Sequence, residues 1–286
     1  MSFFIAEVSS NHSRDIDRAI EFIDSASKVG CDAVKFQLFK IEKLFSAEIL
    51  ENSKQHRDRK QWELPLDFVP LLSNRCKEKG IQFSCTPFYL DAVNELESYV
   101  DFYKIASYEL LWDQLLIACA RTGKPVIIST GMANLGEIKH AVKVLRNNNC
   151  EPIVLHCTSA YPTPYKEANL SAIETIRKST GCEAGWSDHT VDPGVVHRAI
   201  HKWDARVIEF HLDLEGKGEE FESGHCWLPD QIGSVIKQVR HAKDADGDGV
   251  KEPVPSEISD RVWRTDPSDG LRPFKSIRNS FNPKIV

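Results

Sequence analysis

Short apolar runs alternate with segments of helical period along most of the chain. Eight runs of five or six residues have the composition of buried strands. Between them, apolar side chains recur three and four positions apart, as in Asp15–Val29, Asn134–Leu145 and Gly194–Trp203. This alternation predicts repeated β–α units around a parallel sheet. The predicted strands are Phe3–Val8, Ala33–Leu38, Ile81–Cys85, Phe102–Ala106, Pro125–Thr130, Pro152–Cys157, Cys182–Ser187 and Val207–Leu212.

Two features favour a closed barrel over an open, doubly wound sheet. No G-x-G-x-x-G turn follows the first strand, and polar residues follow nearly every strand, whereas an open sheet gathers its ligand at one switch point. We therefore predict a single (β/α)8 TIM barrel over residues 1–243 and a C-terminal extension over 244–286 that is not an independent domain. The charged segment Lys40–Trp62 interrupts the repeat and is expected to form a loop or short helices over the barrel mouth.

Composition narrows the class of protein. The 286 residues are 41% hydrophobic, which suffices for a large core, and the net charge of −6 argues against a partner nucleic acid or membrane surface. A strand begins at Phe3 and no apolar run reaches membrane-spanning length, so neither secretion nor a membrane span is expected. The eight cysteines form no C-x-x-C pair, which favours reduced core thiols and a cytoplasmic protein.

Two lysines lie inside apolar, strand-like runs, Lys35 in the second and Lys104 in the fourth. A buried ammonium is costly unless it is paired. One interpretation is a structural ion pair with Glu7, Glu109 or Glu209. The other is an anion site for a phosphate and a carboxylate, completed by the hydroxyl groups of Thr86, Ser107, Ser129 and Ser187. Glu7 and Glu109 are also candidates for a general base or for contacts to sugar hydroxyl groups.

Two histidines come at the ends of consecutive strands, His189 after the seventh and His211 in the eighth. The carboxyl ends of neighbouring barrel strands converge on one mouth, so these two imidazoles can hold one divalent metal ion. Either histidine alone would be interpreted as a hydrogen-bonded structural residue, and only their position beside the anion set favours a metal. The sequence favours neither a place beside the site nor a structural role for three further histidines, His12, His156 and His225.

Eight strings of the sequence, in order, resemble the sialic acid synthase family, whose members condense phosphoenolpyruvate with an amino-sugar aldehyde. They span nearly the whole chain, and it is their order that makes the resemblance specific. The strings are Ile5-Ala6-Glu7 with Asn11-His12, Ala33-Val34-Lys35-Phe36-Gln37, Cys85-Thr86-Pro87-Phe88, Lys104-Ile105-Ala106-Ser107, Ile128-Ser129-Thr130-Gly131-Met132, Leu155-His156-Cys157-Thr158 with Tyr161-Pro162-Thr163-Pro164, Ser187-Asp188-His189-Thr190, and Ile208-Glu209 with His211.

The resemblance implies a role for each group of residues. The acceptor sugar would meet Gln37, Glu109 and Tyr161, and Glu7 is our candidate for assisting the water that adds during the reaction. His189 and His211 would hold Mn²⁺, with Mg²⁺ or Co²⁺ as alternatives. Phosphoenolpyruvate would be bound by Lys35, Thr86, Lys104, Ser107, Ser129 and Ser187. A homodimer is also implied.

The departures from the family pattern lie toward the acceptor. Ser159, which we count with the substrate-binding residues, stands where the family often has asparagine, and Tyr108 replaces a small residue. Gly224-His225 stands in place of an Asp-His pair. The family's small C-terminal antifreeze-like domain, which supplies an arginine to the partner subunit's acceptor site, is expected to be lacking here. We therefore expect the acceptor to be N-acetylmannosamine, another amino sugar or an aldose phosphate.

Three functions from different classes are consistent with these residues. The first is the phosphoenolpyruvate-dependent synthase. The second is a metal-dependent barrel aldolase or lyase, including a Schiff-base variant through Lys104 or Lys35. The third is a non-catalytic sugar-phosphate sensor that binds in the same anion pocket. Release of phosphate from phosphoenolpyruvate distinguishes the first function from the other two.

Overall fold

Eight parallel strands form a closed barrel in this computed structural model, which describes residues 2–280 except the side chain of Glu219. Each strand pairs with the next along the chain, and β1 also pairs with β8, which closes the ring. The strands are β1 (Phe3–Glu7), β2 (Ala33–Leu38), β3 (Gln82–Pro87), β4 (Phe102–Ile105), β5 (Val126–Ser129), β6 (Ile153–His156), β7 (Ala184–Asp188) and β8 (Val207–Leu212). The predicted TIM barrel is confirmed.

The helices surround the barrel and follow the strands in the predicted alternation. Those of the barrel are α1 (Ile16–Val29), α2 (Ile41–Leu44), α3 (Ala47–Asn52), α4 (Lys54–Asp58), α5 (Phe68–Lys79), α6 (Leu90–Leu96), α7 (Asp113–Arg121), α8 (Leu135–Arg146), α9 (Ala172–Thr180), α10 (Pro193–His201), α11 (Glu219–Glu222) and α12 (Pro229–Asp244). The side chain of Asp15 caps the first turn of α1, and Gly30 ends that helix at φ 94°, a conformation that glycine adopts without strain.

Sequence patterns located the strands well but not every boundary. The seventh strand begins at Ala184, two residues later than predicted, and includes Asp188. A short ninth strand, β9 (Cys226–Trp227), pairs with the last two residues of β8, beyond those that pair with β7, and the sequence did not indicate it. Two residues carry too little periodicity to be recognised without their pairing partner.

The interior of the barrel has an apolar layer and a polar layer. The side chains of Ile5, Ala33, Phe102, Ile127, Leu155 and Val207 form a buried cluster inside the ring. Alternate residues of a strand face the same side. Two positions further along these strands, the chain carries Glu7, Lys35, Lys104, Ser129, Cys157 and Glu209. The polar groups are therefore collected at the carboxyl end of the barrel, which is where TIM-barrel active sites lie.

The chain divides into two compact units, one ending at His241 and the other beginning at Ala242. The second unit contains the 3-10 helices Pro255–Glu257 and Ser259–Trp263 and the helix α13 (Lys275–Arg278). Whether this part is an extension rather than an independent domain stays a prediction. None of the helices formed by residues 2–280 combines the length and the apolar character needed to cross a membrane.

Candidate active site

A cavity of about 1470 Å³ opens at the carboxyl end of the barrel. Eleven of the thirteen residues predicted for the site line it: Glu7, Lys35, Gln37, Lys104, Ser107, Glu109, Ser129, Tyr161, Ser187, His189 and His211. The two others lie behind this lining. Thr86 is fully buried and its Oγ1 accepts a hydrogen bond from Lys35 Nζ over 3.1 Å. The Oγ of Ser159 is buried without a hydrogen-bond partner in the described part of the chain.

Two ion pairs form the floor of the cavity. Glu7 and Lys35 are direct neighbours in the register of β1 and β2, and their side chains are in contact. Lys104 Nζ lies 3.3 Å from Oε1 of Glu209. All four side chains are at most 7% exposed. The pairing that the sequence left as one alternative is thus present, on the surface of a cavity rather than in a sealed core.

Burial and neighbouring charges shift the pKa values of Lys35 and Glu209. Burial disfavours the charged form of Lys35 and lowers its pKa to about 8, although Glu209 opposes this shift. Burial acts in the opposite sense on Glu209, but the nearby charges of Lys104 and Lys35 outweigh it and lower the pKa of this carboxyl. Each lysine of the floor is already in contact with a carboxylate, so an incoming anion replaces carboxylate contacts rather than binding bare lysines.

Hydroxyl groups surround the floor. Ser187 Oγ donates to Glu209 Oε1 over 3.3 Å, and Ser107 Oγ accepts from the backbone N–H of Gly131 over 3.0 Å. A Cβ atom at Gly131 would lie 2.1 Å from Ser159 Oγ, so only glycine permits this approach. The Oγ of Ser129 is buried and has no hydrogen-bond partner among residues 2–280. A buried polar atom without a partner is unusual, and it indicates a position that a ligand can satisfy.

Gln37 and Glu109 lie at the side of the cavity. Gln37 Nε2 donates to Oε1 of Glu7 over 3.0 Å, and the same oxygen accepts from the backbone N–H of Ser9 over 2.8 Å. Glu109 is partly buried, which raises its pKa to about 7, and its Oε2 atom has no partner in the described chain. A carboxyl group that is half protonated near neutral pH can either donate a hydrogen bond to a sugar hydroxyl or accept one from it.

Three histidines gather around Tyr161 at the other side of the mouth. The Tyr161 ring centroid lies 4.2 Å from that of His189, 5.0 Å from that of His225 and 6.0 Å from that of His211. The Nδ1 atom of His189 bonds the carbonyl oxygen of Thr158 over 2.8 Å, which leaves Nε2 as the nitrogen with a free lone pair. Burial lowers the pKa of His189 to about 3, so the ring is neutral.

Among residues 2–280, the group of side chains best arranged for a metal ion includes the predicted His211 and not the predicted His189. One ligand atom from each of His211, Glu220, His225 and Cys226 lies within 4.8 Å of the rest. The rings of His189 and His211 are 5.4 Å apart. Glu220 belongs to α11 and was not recognised in the sequence, because nothing in a four-residue helix links its carboxylate to a histidine nine positions earlier.

The imidazole and carboxylate groups of this set fit a divalent metal ion. Imidazole and carboxylate together suit Mn²⁺, Zn²⁺ and related ions. Oε2 of Glu220 lies 3.3 Å from His211 Nδ1 and 3.8 Å from His225 Nε2, while its Oε1 is held by the backbone and hydroxyl of Ser10. The carboxylate is thus oriented between the two rings by a further hydrogen bond, as metal-binding carboxylates commonly are.

The other two histidines considered in the sequence analysis, His156 and His12, have structural contacts. Nε2 of His156 bonds the carbonyl oxygen of Ala168 over 3.0 Å, and its ring packs 5.3 Å from the Trp186 ring. Nδ1 of His12 accepts from the backbone N–H of Arg14 over 2.9 Å, and burial lowers the pKa of His12 to about 4. Neither residue lines the cavity.

The segment Lys40–Trp62 forms three short helices and the 3-10 helix Arg59–Trp62. Six of its side chains line the cavity: Leu44, Phe45, His56, Arg59, Gln61 and Trp62. The segment therefore contributes a wall of the mouth, which is where the sequence predicted it.

The NeuB family model matches residues 22–251, which is most of the chain and all of the barrel beyond β1 and the first six residues of α1. The chain belongs to the NeuB family. It is an enzyme of the phosphoenolpyruvate-dependent type that forms carbon–carbon bonds, as the sequence predicted.

Individual NeuB-family relatives agree with this assignment. The chain is 38% identical to an uncharacterized protein of Methanocaldococcus jannaschii, over 90% of this chain and 75% of that protein. It is 33% identical to the N,N'-diacetyllegionaminic acid synthase of Campylobacter jejuni, over 90% of this chain and 80% of that one. The crystal structure of sialic acid synthetase from Leptospira borgpetersenii superposes with a TM-score of 0.79 at 32% identity, covering 91% and 90% of the two chains. The Campylobacter jejuni and Leptospira borgpetersenii relatives are named for different sugar acids, legionaminic acid and sialic acid.

Proposed function

We propose that this NeuB-family enzyme condenses phosphoenolpyruvate with an aldose or amino-sugar acceptor, N-acetylmannosamine-like, to give a 3-deoxy-2-keto sugar acid and phosphate. The observation that carries the proposal is the position of two buried lysines on the floor of the same cavity as a divalent-metal donor set. The lysines suit an anionic donor and the metal donors suit a carbonyl acceptor, and the two reactants must meet in one cavity.

Phosphoenolpyruvate would bind over Lys35 and Lys104. Its phosphate and carboxylate replace the contacts that Glu7 and Glu209 now make, with further hydrogen bonds from the hydroxyl groups of Ser107, Ser129 and Ser187. Thr86 positions Lys35 from behind instead of touching the ligand. Fixing both ends of a small, rigid molecule aligns its C3 atom for attack, which is worth several orders of magnitude in rate.

The metal ion would be held by His211, Glu220 and His225, with His189 beside them, and Mn²⁺ is our proposed ion. When bound, it supplies a Lewis acid that polarises and orients the acceptor carbonyl. Tyr161, Gln37 and Glu109 would bind the acceptor hydroxyl groups. Ser159 lies behind Gly131 and would act on the site only through Ser107 and Gly131.

The bond changes balance with water as the third reactant. C3 of phosphoenolpyruvate bonds to the acceptor carbonyl carbon, whose oxygen takes a proton and becomes a hydroxyl. Water adds to C2 and loses a proton, which balances the one that the acceptor oxygen takes up. The C2–O bond to phosphate then breaks, phosphate leaves with the bonding electrons, and the proton of the C2 hydroxyl passes to it to leave the ketone. Glu7, whose two carboxylate oxygens face the cavity floor, is our candidate for receiving the proton from water.

The test is phosphate release from phosphoenolpyruvate with Mn²⁺, over a panel of aldoses, N-acetylated amino sugars and their 6-phosphates. Release that requires one acceptor supports the proposal and identifies the sugar. Binding of phosphoenolpyruvate without release in any mixture would instead favour the sugar-phosphate sensor, and an adduct trapped by borohydride would favour the Schiff-base aldolase. We further propose a cytoplasmic homodimer, and the eight buried, unpaired cysteines are consistent with a reducing compartment.

A further inference from the structure

The mouth of the cavity carries two arginines that pair with no carboxylate in the described part of the chain. Arg59 and Arg14 both line the cavity. Within residues 2–280, neither guanidinium takes part in an ion pair, whereas Arg18 beside them pairs with Glu215. The lysines of the floor are paired as well. The unpaired positive charges described here therefore lie at the mouth and not on the floor.

Arg59 is held in place by aromatic rings rather than by an acidic partner. Its guanidinium lies 5.6 Å from the ring centroid of Phe45 and 5.5 Å from that of Trp62. Both rings line the same cavity, and His56 packs edge-on against Phe45 at 4.7 Å. The Nε atom of Arg59 is buried and has no hydrogen-bond partner in the described chain. Stacking fixes the plane of a guanidinium and leaves its N–H groups available for an anion.

Arg14 is brought next to Arg59 from another element. Its Nη1 atom donates to the carbonyl oxygen of Lys60 over 3.1 Å, at the residue that follows Arg59. Ser13 and Arg14 have φ values of 50° and 56°, in the left-handed region. Non-glycine residues in that region carry strain that the surrounding structure must compensate, and such residues cluster at binding sites.

We infer that Arg59 and Arg14 form a phosphate subsite for the far end of the acceptor, so that the acceptor is a sugar phosphate. This rests on the proposed function and makes its acceptor class specific. In an aldose, the reacting aldehyde is C1 and a phosphate on the last carbon is at the opposite end of the chain. With C1 between the lysines of the floor and the metal donors, the other end extends toward the wall of the mouth that carries the two arginines.

The experiment compares kcat/KM for matched sugars, N-acetylmannosamine and mannose, each with and without a 6-phosphate. We expect the phosphate esters to be preferred, and Arg59→Gln to reduce that preference about 10- to 100-fold, the range for losing charge-assisted hydrogen bonds. Arg59→Lys keeps the charge and should lose less. Lys60→Gln is the matched control, because Lys60 pairs with Glu42 and does not line the cavity. Equal use of both forms, or a preference that survives Arg59→Gln, overturns the subsite.

Calorimetric binding of the same four sugars separates this inference from the proposed function. Arg59-dependent binding of the 6-phosphates without turnover would support the subsite and contradict the synthase. No binding and no turnover of either phosphate ester would overturn the subsite. Inorganic phosphate is the competitor: if it binds as tightly as the esters and Arg59→Gln abolishes this, the arginines hold free phosphate and the assignment to the acceptor is wrong.

Discussion

Lys104 and Glu209 face each other inside the barrel, with Nζ 3.3 Å from Oε1, although 105 positions separate them in the chain. Ser187 donates to the same carboxylate oxygen over 3.3 Å. A buried pair of this kind is poor evidence for a purely stabilising role, because desolvation offsets most of its attraction. Since the pair also lines the cavity, we interpret it as an anion site that holds its own counter-charge until a ligand arrives.

Glu209→Gln tests that interpretation. Removal of the carboxylate leaves a buried ammonium uncompensated, which should cost about 3–5 kcal/mol in the free energy of unfolding. Phosphoenolpyruvate should then raise the melting temperature more in the variant than in the unaltered protein, since it restores the missing negative charge. Glu95→Gln, which removes a partly exposed partner of Lys40, is the control. A variant that phosphoenolpyruvate does not stabilise would favour a purely structural ion pair.

Binding of phosphoenolpyruvate should weaken as the pH rises through about 8. Burial lowers the pKa of Lys35 to about 8, so the ammonium that attracts the anion is present below this pH and lost above it. The charged groups that act on it are Glu7, Glu209, Lys104 and Glu220, and the neutral Cys85 thiol is also nearby. Calorimetric titration between pH 6.5 and 9.5 should show affinity falling about tenfold per pH unit above the pKa.

Lys35→Met supplies the comparison for this pH dependence. The variant should bind phosphoenolpyruvate weakly at every pH, with the slope above pH 8 removed. The same slope in the variant would mean that another group titrates.

Glu220→Gln should weaken binding of Mn²⁺ at least 10- to 100-fold, roughly the loss seen for groups that support a metal ligand. The carboxylate faces both His211 and His225. Paramagnetic resonance of free Mn²⁺ measures this without any turnover. Glu222→Gln, an exposed change in the same short helix, should bind as the unaltered protein does.

His211→Ala should abolish Mn²⁺ binding and activity together while the barrel remains folded. If Glu220→Gln binds Mn²⁺ normally and a His189→Ala variant does not, the pair of histidines predicted from the sequence holds the ion without this carboxylate.

Asp188 should prove structural although it lies beside His189. Its carboxylate is fully buried and accepts from the indole N–H groups of Trp186 and Trp227, over 3.0 and 2.9 Å, and from Thr190. Asp188→Asn places an amide among these donors and should lower the free energy of unfolding by about 2–4 kcal/mol.

Urea denaturation of Asp188→Asn and of Asp192→Asn measures this difference. Asp192 caps α10 by accepting from the backbone N–H of Val195, and asparagine caps equally well, so the second variant should be nearly unchanged. Equal stability of both variants would contradict the role assigned to Asp188.

The sequence by itself determined the barrel and most of its polar floor. Strand identity depends on neighbouring residues, and a period of two fixes which side chains face inward, so Lys35 and Lys104 could be assigned to the interior before any contact was known. The resemblance to a known family then ordered these residues around one reaction, and the family is confirmed.

Only the tertiary structure decided which groups meet across the barrel. The pairing of Lys104 with Glu209, the approach of Glu220 to His211 and the contact of Arg14 with the residue after Arg59 all join separate elements. Local periodicity specifies the direction in which a side chain points. It does not specify how far that side chain lies from one that is remote in the sequence. That distance follows from closure of the ring between β1 and β8 and from the path of the loops above it, which the sequence pattern does not encode.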